Sequence, residues 1–549
     1  MPKVPFWVFV LIGLLYFTAV RVDTMDVDAS QYAEISREMM VSGDYLHIYD
    51  RGIDYLDKPP LLFWLSAASM RIFGVGNFGY KLPSILFALL AIWATYKLGK
   101  RLYDDVTGRM AALVLASCQG MFLMTNDVRC DTILMGCVIT AIWWIQEWTI
   151  TRRAAYLAGG SAAIALGMMT KGPIALMVPV FCFATDWALK RQWRMFFRPA
   201  YLWAVLVIAV LLIPMSIGLY QQFDMHPEKV VNGAQGVSGL RFFYWSQSFG
   251  RITGESPWNN GAKIDFLMLN MLWSFLPWIF LFISALIVSI RQVVVQKGRL
   301  QPGQEWLTTG GFLLAYLALG SSAYQLPHYI FVVFPLAAIL TARHIADMMA
   351  QDRLARLRQI MTPIHTVISL LLLLAVIVLA AYVFAGGIWA TGLWCAGLLL
   401  WLYLALSKQL KARLLWLPAT AIIVVNVLLT NFFYHTLLGY QVGAAAGRHI
   451  AAASISPSSV AIYRVSDPLN SIQFYAGGSI KSIDTLVGIK RGSYLLTMRE
   501  GLDKVAALGY KYDTVKAGEF YKVSELTLPF LNPATRAAEV KNYWLVKVR

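Results

Sequence analysis

Apolar runs of about 20 residues recur from one end of the chain to the other, and they constrain its fold more than any other feature. As a helix, a run of this length crosses the roughly 30 Å hydrocarbon core of a bilayer. The composition agrees, because the 549 residues are 58% hydrophobic and only 14% charged. A soluble protein carries about 25% charged residues. The sequence therefore predicts a mainly α-helical, polytopic membrane protein.

Thirteen segments are predicted to span the membrane, and one further apolar stretch, residues 60–73, is too short to do so and contains Arg71. That stretch is typical of a membrane-parallel or re-entrant helix. The predicted spans lie near residues 5–22, 79–99, 108–124, 131–149, 155–170, 173–189, 200–221, 264–290, 307–321, 328–343, 363–385, 387–407 and 414–436.

The net charge of +17 comes from short basic clusters between the apolar runs. This distribution is the Lys/Arg bias of cytoplasmic loops and excludes a nucleic-acid-binding module. The clusters are Lys97–Arg109, Arg152–Arg153, Lys190–Arg198, Arg291–Arg299, Arg343–Arg358 and Lys408–Arg413. The opposite loops are poor in bases, and residues 23–58 hold nine acids against three bases. The pattern predicts a cytoplasmic N-terminus and, with an odd number of spans, an extracytoplasmic C-terminus.

The composition divides the chain into two predicted domains. Residues 1–436 form a transmembrane domain with two long outer loops, 23–78 with amphipathic helices and 222–263, which is rich in Gly and Asn and is predicted to be mobile. Residues 437–549 are predicted to form a small extracytoplasmic α/β domain with a helix near Gly501–Leu508. Its predicted strands are Ser459–Val465, Ser471–Tyr475, Tyr494–Met498, Phe520–Val523 and Tyr543–Val548.

Ionisable residues in the outer loops are the candidates for a functional site, because charges at membrane depth are costly. Asp28 begins an amphipathic helix, where it either caps the helix or acts as a general base. Asp57 and Lys58 precede Pro59-Pro60. They form either a surface salt bridge or a site in which Lys58 meets an anionic headgroup.

Further candidates lie at the outer ends of spans, and each has two interpretations. Arg129 and Asp131 form either a structural ion pair at a helix end or part of the site. Lys171 is either an anchor that extends to the interface or a cation of the site. His328 and Tyr329 are either interfacial belt residues or contacts to a substrate.

The first outer loop resembles that of the ArnT/PMT-type glycosyltransferases of the GT-C fold, which include lipid A aminoarabinose transferases and protein O-mannosyltransferases. The resemblance rests on Tyr32–Met39, Ser42–Tyr45 and Tyr55–Leu65. It continues in order through Arg129–Asp131, Thr170–Pro173, Phe242–Pro257 and Gln325–Tyr329. It thus covers roughly residues 5–345.

This resemblance implies an inverting glycosyltransferase that takes a sugar from a polyprenyl-phosphate carrier on the outer face of the bacterial inner membrane. The acceptor is a lipid A-like lipid, a glycan or a protein. Asp28 occupies the position of the family's first-loop acid and is expected to be the base. Lys58 and Arg251 match family residues expected to contact the lipid phosphate.

One departure from the family concerns metal binding. ArnT-like enzymes often carry histidines in the large outer loop, whereas Tyr244–Pro257 has none and only Glu255 offers a ligand there. The sequence therefore predicts no cofactor with certainty, and a divalent metal ion stays an open option that the expected histidines do not support. Without these histidines the acceptor stays open.

Two other classes of function fit the sequence less well. A transporter or flippase for a lipid-linked sugar would show inverted repeats with Gly/Pro-broken spans in matching halves, which are not evident. A non-catalytic scaffold would have no use for Asp28, Lys58 and Arg251 at helix ends.

Overall fold

The computed structural model describes residues 4–255, 258–301, 303–407, 412–465, 467 and 469–549, without the side chains of Ile252 and Arg353. The predicted basic loop Lys408–Arg413 lies mostly outside these residues. Apolar runs fold as helices because a helix satisfies its own backbone hydrogen bonds where water is absent. The helices of the first part are α1 Phe6–Thr18, α2 Asp28–Ser42, α3 Leu61–Phe73, α4 Asn77–Leu102, α5 Asp105–Ala116, α6 Gln119–Asn126, α7 Cys130–Thr151, α8 Ala154–Lys171, α9 Ile174–Leu189, α10 Ala200–Leu219, α11 Gly239–Arg241, α12 Gly250–Thr253, α13 Phe266–Ser274, α14 Ile279–Val295, α15 Leu307–Gly320, α16 Phe334–Ala350, α17 Ala355–Ile377, α18 Gly387–Leu406, α19 Arg413–Leu428 and α20 Tyr434–Leu438.

The described helices make this a multi-pass membrane protein. Seven are long and apolar enough to cross a bilayer, or eight if the bent pair α5 and α6 counts as one span. Five shorter apolar helices accompany them, among them α3, the stretch predicted to be membrane-parallel or re-entrant. Every predicted span falls on helix, but the number of crossings stays a prediction because several of these helices are short.

Two of the predicted spans are broken, where continuous helices were expected. Residues 108–124 fall on α5 and α6, which are bent by 54°, and residues 264–290 fall on α13 and α14, separated at Pro277. The two breaks contact each other. The backbone N–H of Gln119 donates to the Leu276 carbonyl at 2.9 Å, and the Trp278 indole donates to Ser117 Oγ at 3.1 Å. Each break thereby satisfies polar groups that a bilayer would leave without partners.

The C-terminal part holds a mixed five-stranded sheet, and two hairpins of two-residue strands in the outer loops precede it in the chain. The strands are β1 Tyr49–Asp50, β2 Ile53–Asp54, β3 Val230–Val231, β4 Ala234–Gln235, β5 Val460–Tyr463, β6 Lys481–Ile483, β7 Tyr494–Thr497, β8 Tyr512–Phe520 and β9 Lys541–Val548. The order of strands in the five-stranded sheet is β6-β5-β7-β9-β8. Its inner strands β5 and β7 run parallel, and β7 and β9 run antiparallel.

Five short helices complete the C-terminal part. They are α21 Val442–Ala452, α22 Ser471–Ala476, α23 Arg499–Ala507, α24 Leu528–Leu531 and α25 Arg536–Glu539. The predicted α/β character and the helix at α23 are confirmed. The predicted strand Ser471–Tyr475 is wrong, because these residues form α22, and β8 ends at Phe520 where a strand was predicted to begin. The predicted domain boundary near residue 437 stays a prediction.

The segment before α2 is held by the C-terminal part. Ser471 donates to Asp26 through its backbone N–H at 2.8 Å and through its hydroxyl at 2.9 Å. The Gln441 side chain accepts from the Asp26 backbone N–H at 2.8 Å. Arg448 lies 2.6 Å from Asp23. Because Asp26 lies two residues before Asp28, these contacts fix where α2 begins.

Candidate functional site

The candidate site begins at the N-terminus of α2, where Asp28 is the first helical residue. Its side chain is 38% exposed and pairs with Nη1 of Arg129. Arg129 also contacts Asp127 Oδ2 at 2.7 Å, so one guanidinium serves two carboxylates. The residue at the N-cap position is Val27, which makes no side-chain capping hydrogen bond, and the capping interpretation of Asp28 is therefore wrong.

Burial and charge compete in this triad. Burial raises the pKa of Asp127, and the nearby Arg129 only partly offsets it. Burial acts to lower the pKa of Arg129, but the Asp127 and Asp28 carboxylates outweigh it and raise that pKa overall. Arg129 is therefore a permanent cation beside Asp28. Sequence reasoning missed Asp127, although an acid two residues from Arg129 in an outer loop was a visible signal.

Asp131 has partners other than Arg129. Its side chain is 2% exposed, and Lys171 Nζ lies 2.6 Å from its Oδ1. His328 Nε2 lies 3.6 Å from Oδ2, beyond hydrogen-bonding distance. The predicted Arg129–Asp131 ion pair is wrong, because the residue before α7 and the second residue of α7 face different neighbours. Lys171 does not extend to the interface as a free anchor, since its ammonium is paired.

Arg251 on α12 is 9% exposed and donates through Nη1 to the Tyr329 hydroxyl at 2.9 Å. The Trp258 and Tyr324 rings lie 5.2 and 5.3 Å from its guanidinium carbon. Within the part of the chain that the structure describes, its buried Nε has no hydrogen-bond partner. Tyr324 and Trp258 were not predicted as site residues, since lone aromatics in outer loops carry no local signal.

Lys58, Lys171, Arg251 and Tyr329 line one small cleft of about 80 Å³. Lys171 also lies over the Tyr329 ring at 3.7 Å. No carboxylate among the described residues lines this cleft, and its remaining walls are mostly apolar or hydroxyl-bearing. Over the same ranges the Lys58 ammonium has neither an ion pair nor a hydrogen bond. With Lys171 neutralised by Asp131, the cleft carries about two uncompensated positive charges, which suit an anion.

Asp57 does not pair with Lys58, so the predicted surface salt bridge is wrong. Its carboxylate accepts from Asn232 Nδ2 at 2.9 Å, and its backbone carbonyl accepts from the Gln247 side chain. Asp57 therefore joins the first outer loop to the large loop 222–263. Gln247 itself lines the cleft beside Lys58.

Glu255 does not line the cleft. It contacts Arg241 at 3.4 Å and the Trp245 indole at 3.1 Å, and 42% of its side chain is exposed. Over the described residues there is no group of three or more His, Cys, Asp or Glu side chains arranged to hold a metal ion.

A second cavity, of about 800 Å³, lies on the other side of this cluster. Asp28, Asp127, Arg129 and His328 line its polar end, and the rest is mainly apolar side chains from α6, the segment 429–433, α20 and the segment 523–531. His328 lines this cavity and the adjacent Tyr329 lines the cleft. The site thus has two compartments, one cationic and small, the other large and apolar with a carboxylate at its end.

The fold places the chain in the GT-C class of membrane proteins. Over 98% of this chain and 98% of its counterpart, it superimposes on the crystal structure of ArnT from Cupriavidus metallidurans bound to undecaprenyl phosphate, with a TM-score of 0.72 and 18% identity. Residues 57–217 match the family described as dolichyl-phosphate-mannose-protein mannosyltransferase.

The sequence is also similar to two curated bacterial proteins named undecaprenyl phosphate-alpha-4-amino-4-deoxy-L-arabinose arabinosyl transferase. The protein of Edwardsiella ictaluri is 25% identical over 334 residues, which are 59% of this chain and 56% of that protein. That of Pseudomonas paraeruginosa is 27% identical over 336 residues, 60% of this chain and 57% of the other. The matched region spans less than two thirds of these relatives. The chain is an ArnT/PMT-like protein with the GT-C fold.

Proposed function

We propose that the protein is an integral membrane glycosyltransferase that moves a sugar from a polyprenyl-phosphate carrier to an acceptor. The observation that carries this proposal is the cleft in which Lys58 and Arg251 have no carboxylate partner among the described residues, next to a larger cavity that ends at Asp28. The likeness in fold to a protein solved with undecaprenyl phosphate supports it.

Lys58 and Arg251 bind the phosphate of the carrier in this proposal. Transfer breaks the bond between the anomeric carbon and the phosphate oxygen, and the electron pair of that bond stays on the phosphate. Cations held in place before the reaction stabilise this developing charge. Lys171 contributes less, because Asp131 already neutralises it. Ile174, Leu319 and other apolar residues of the cleft suit the first carbons of a polyprenyl chain.

Asp28 is the general base. The acceptor hydroxyl oxygen forms the new bond to the anomeric carbon, and its proton passes to the Asp28 carboxylate. The pair with Arg129 orients the carboxylate. Because Asp28 lines the large cavity and the cations line the cleft, the acceptor and the leaving phosphate approach from different sides. Approach from opposite sides is the geometry of inversion.

The acceptor is a lipid. The large cavity has an apolar wall that includes Leu379, Leu429 and Phe433, and such a wall gains little from a sugar or a peptide but binds acyl chains. The names of the curated relatives specify an aminoarabinose donor.

The site faces the outside of the bacterial inner membrane. The basic loops at the opposite helix ends support this orientation, with the N-terminus in the cytoplasm. The C-terminal sheet then lies outside, on the same face as the site. The gathering of Asp28, Lys58 and Arg251 at one face, and not at midplane, favours transfer over transport.

The test is Asp28→Asn, which keeps the shape of the side chain but cannot accept a proton. A deletion strain carries wild-type protein, this variant or Glu255→Gln, the same chemical change at a carboxylate that does not line the cleft. Mass spectrometry of envelope lipids and glycoproteins identifies the modification that the deletion removes. We expect Asp28→Asn to lower its rate of transfer by about 10²- to 10⁴-fold and to leave undecaprenyl phosphate binding intact, with Glu255→Gln unchanged. Transfer at the wild-type rate by Asp28→Asn would refute its role as base, and a deletion that removes no lipid or glycoprotein modification would refute the proposed function.

A further inference from the structure

A third cavity, which is also charged, lies at the other end of the helices that carry the site. Its volume is about 700 Å³, and it is lined by the ends of α7 and α9 and by the segment 190–198 that follows α9. Helix α7 has 22 residues, a length of about 33 Å at 1.5 Å per residue. Because Arg129 and Asp131 lie at the start of α7, this cavity lies a membrane thickness away from the candidate site.

The cavity is strongly basic. Its described lining includes a single acid, Asp186, and five cations, which are Arg152, Lys190, Arg191, Arg194 and Arg198. Lys190 Nζ lies 2.7 Å from Asp186, whose other oxygen accepts from the Trp306 backbone N–H at 2.8 Å. The side chains of Arg191, Arg194 and Arg198 have no carboxylate or hydrogen-bond partner in the described ranges. The cavity therefore has an excess of about four positive charges.

Two of these arginines adopt a backbone conformation that side chains rarely take. Arg152 has φ 57° and Arg191 has φ 55°, and each follows a helix end where glycine is the usual residue. A non-glycine residue in this region costs of order 1 kcal/mol.

Aromatic residues mark the depth of this cavity in the membrane. Trp193 is 58% and Phe197 85% exposed, and both lie in the segment that carries the arginines. Trp193 and the largely buried Trp187 also line the cavity. Exposed tryptophan beside arginine is typical of the interface between acyl chains and headgroups. The cavity is thus at the level of lipid phosphates.

We propose that this cavity binds the headgroup of an anionic phospholipid, with Arg191, Arg194 and Arg198 donating to its phosphodiester. Planar guanidinium groups donate two parallel hydrogen bonds to phosphate oxygens. Basic pockets between membrane helices on the cytoplasmic side are suited to anionic headgroups. A loop that served only to orient the chain would need the charges but not a cavity with tryptophan walls. The inference does not depend on the proposed transferase activity.

The test compares phosphatidylglycerol with phosphatidylcholine, lipids that differ in headgroup charge. The purified full chain is titrated with each lipid, and bound lipid is counted by native mass spectrometry. The variant is Arg194→Ala with Arg198→Ala, which leaves both left-handed turns untouched. The matched control is Arg291→Ala with Arg299→Ala, which removes the same charge from another basic loop of the same face.

We expect the wild type and the control to retain phosphatidylglycerol at an at least ten-fold lower concentration than phosphatidylcholine, a preference worth about 1.4 kcal/mol. The Arg194/Arg198 variant should lose that preference. An equal loss in both double variants would mean that only total charge matters and would overturn the proposal, as would a wild type without preference. A photoreactive phosphatidylglycerol tests the site without any variant. Its cross-links to wild type should fall within residues 187–198, and cross-links only elsewhere would overturn the proposal.

Discussion

Asp26 connects the start of α2 to the C-terminal part, and Asp26→Asn tests that connection. Asp26 is 8% exposed, and its carboxylate accepts from the Ser30 hydroxyl at 2.6 Å and from Ser471. Burial raises the pKa of Asp26 from 3.8 to about 6, against the lowering effect of these hydrogen bonds. The ionised carboxylate therefore destabilises the folded state relative to the unfolded state.

The sign and size of this cost follow from the raised pKa. A difference of about two pKa units corresponds to about 3 kcal/mol. Because the pKa is higher in the folded state, folding is favoured by the proton, and the free energy of unfolding falls as pH rises from about 4 to about 6. Asparagine has the same shape and no charge. We expect Asp26→Asn to equal wild type at pH 4 and to be more stable by up to about 3 kcal/mol at pH 8.

The measurement is the melting temperature of wild type and Asp26→Asn in detergent at pH 4 and pH 8. The control is Asp484→Asn, which removes an exposed carboxylate of the same C-terminal part and should change neither value. The difference between wild type and Asp26→Asn should appear only at the higher pH. If Asp26→Asn melted below wild type at pH 8, or if the difference were the same at both values, the reasoning from burial would be refuted.

Two further predictions concern the cleft. Lys58→Gln should weaken undecaprenyl phosphate binding by at least ten-fold in a titration, because it removes a cation that has no carboxylate partner among the described residues. The control is Lys263→Gln, in the same outer region, which should bind as wild type does. An equal loss of binding in both variants would contradict the assignment of Lys58 to the phosphate. Tyr329→Phe removes the hydrogen bond to Arg251, a bond to a charged group worth about 1.5–3 kcal/mol. We expect its rate of transfer to fall by about 10- to 150-fold, and a wild-type rate would show that Tyr329 does not position Arg251.

The helices were predictable wherever the signal is local. A run of 20 apolar residues specifies a helix without reference to the rest of the chain. The break after Ser117 was not predictable, because neither Ser117 nor Cys118 is a helix breaker, and the groups that stabilise it, Leu276 and Trp278, lie about 160 residues away. The break near Pro277 had a visible signal, since proline lacks a backbone N–H and ends helices.

Tertiary contacts decided the error at α22. Alternating Ile472 and Phe474 favoured a strand, but Gly443 and Gly447 on α21 let these residues approach as a helix. A Cβ on Gly447 would lie 2.7 Å from the Ile472 carbonyl oxygen, and one on Gly443 2.7 Å from Ser471 Oγ. The same close approach brings Ser471 to Asp26. Local alternation was therefore overridden by a contact that no window of the sequence contains.

The partners of the site residues were less predictable than the residues themselves. Lys58, Lys171 and Tyr329 were chosen by residue type and position and Arg251 by the family resemblance, and the four meet in one cleft. Pairs adjacent in sequence were predicted to contact each other and do not. Asp57 and Lys58 lie in a bend, where the Asp57 carboxylate contacts Asn232 and Lys58 lines the cleft. Glu255 was chosen for lack of any other ligand in its loop and does not line the cleft.

The division of the site into two compartments rests on one short turn. Residues Pro327–Val333 form a 3₁₀ helix, in which successive side chains are about 120° apart. His328 therefore faces the large cavity with Asp28, while Tyr329 faces the cleft with Arg251. Sequence alone could not separate their roles, because both looked like interfacial aromatics. The geometry predicts that a substitution on one side of this turn alters the binding of one substrate and leaves the binding of the other substrate unchanged. A separate binding titration with each substrate measures the two effects.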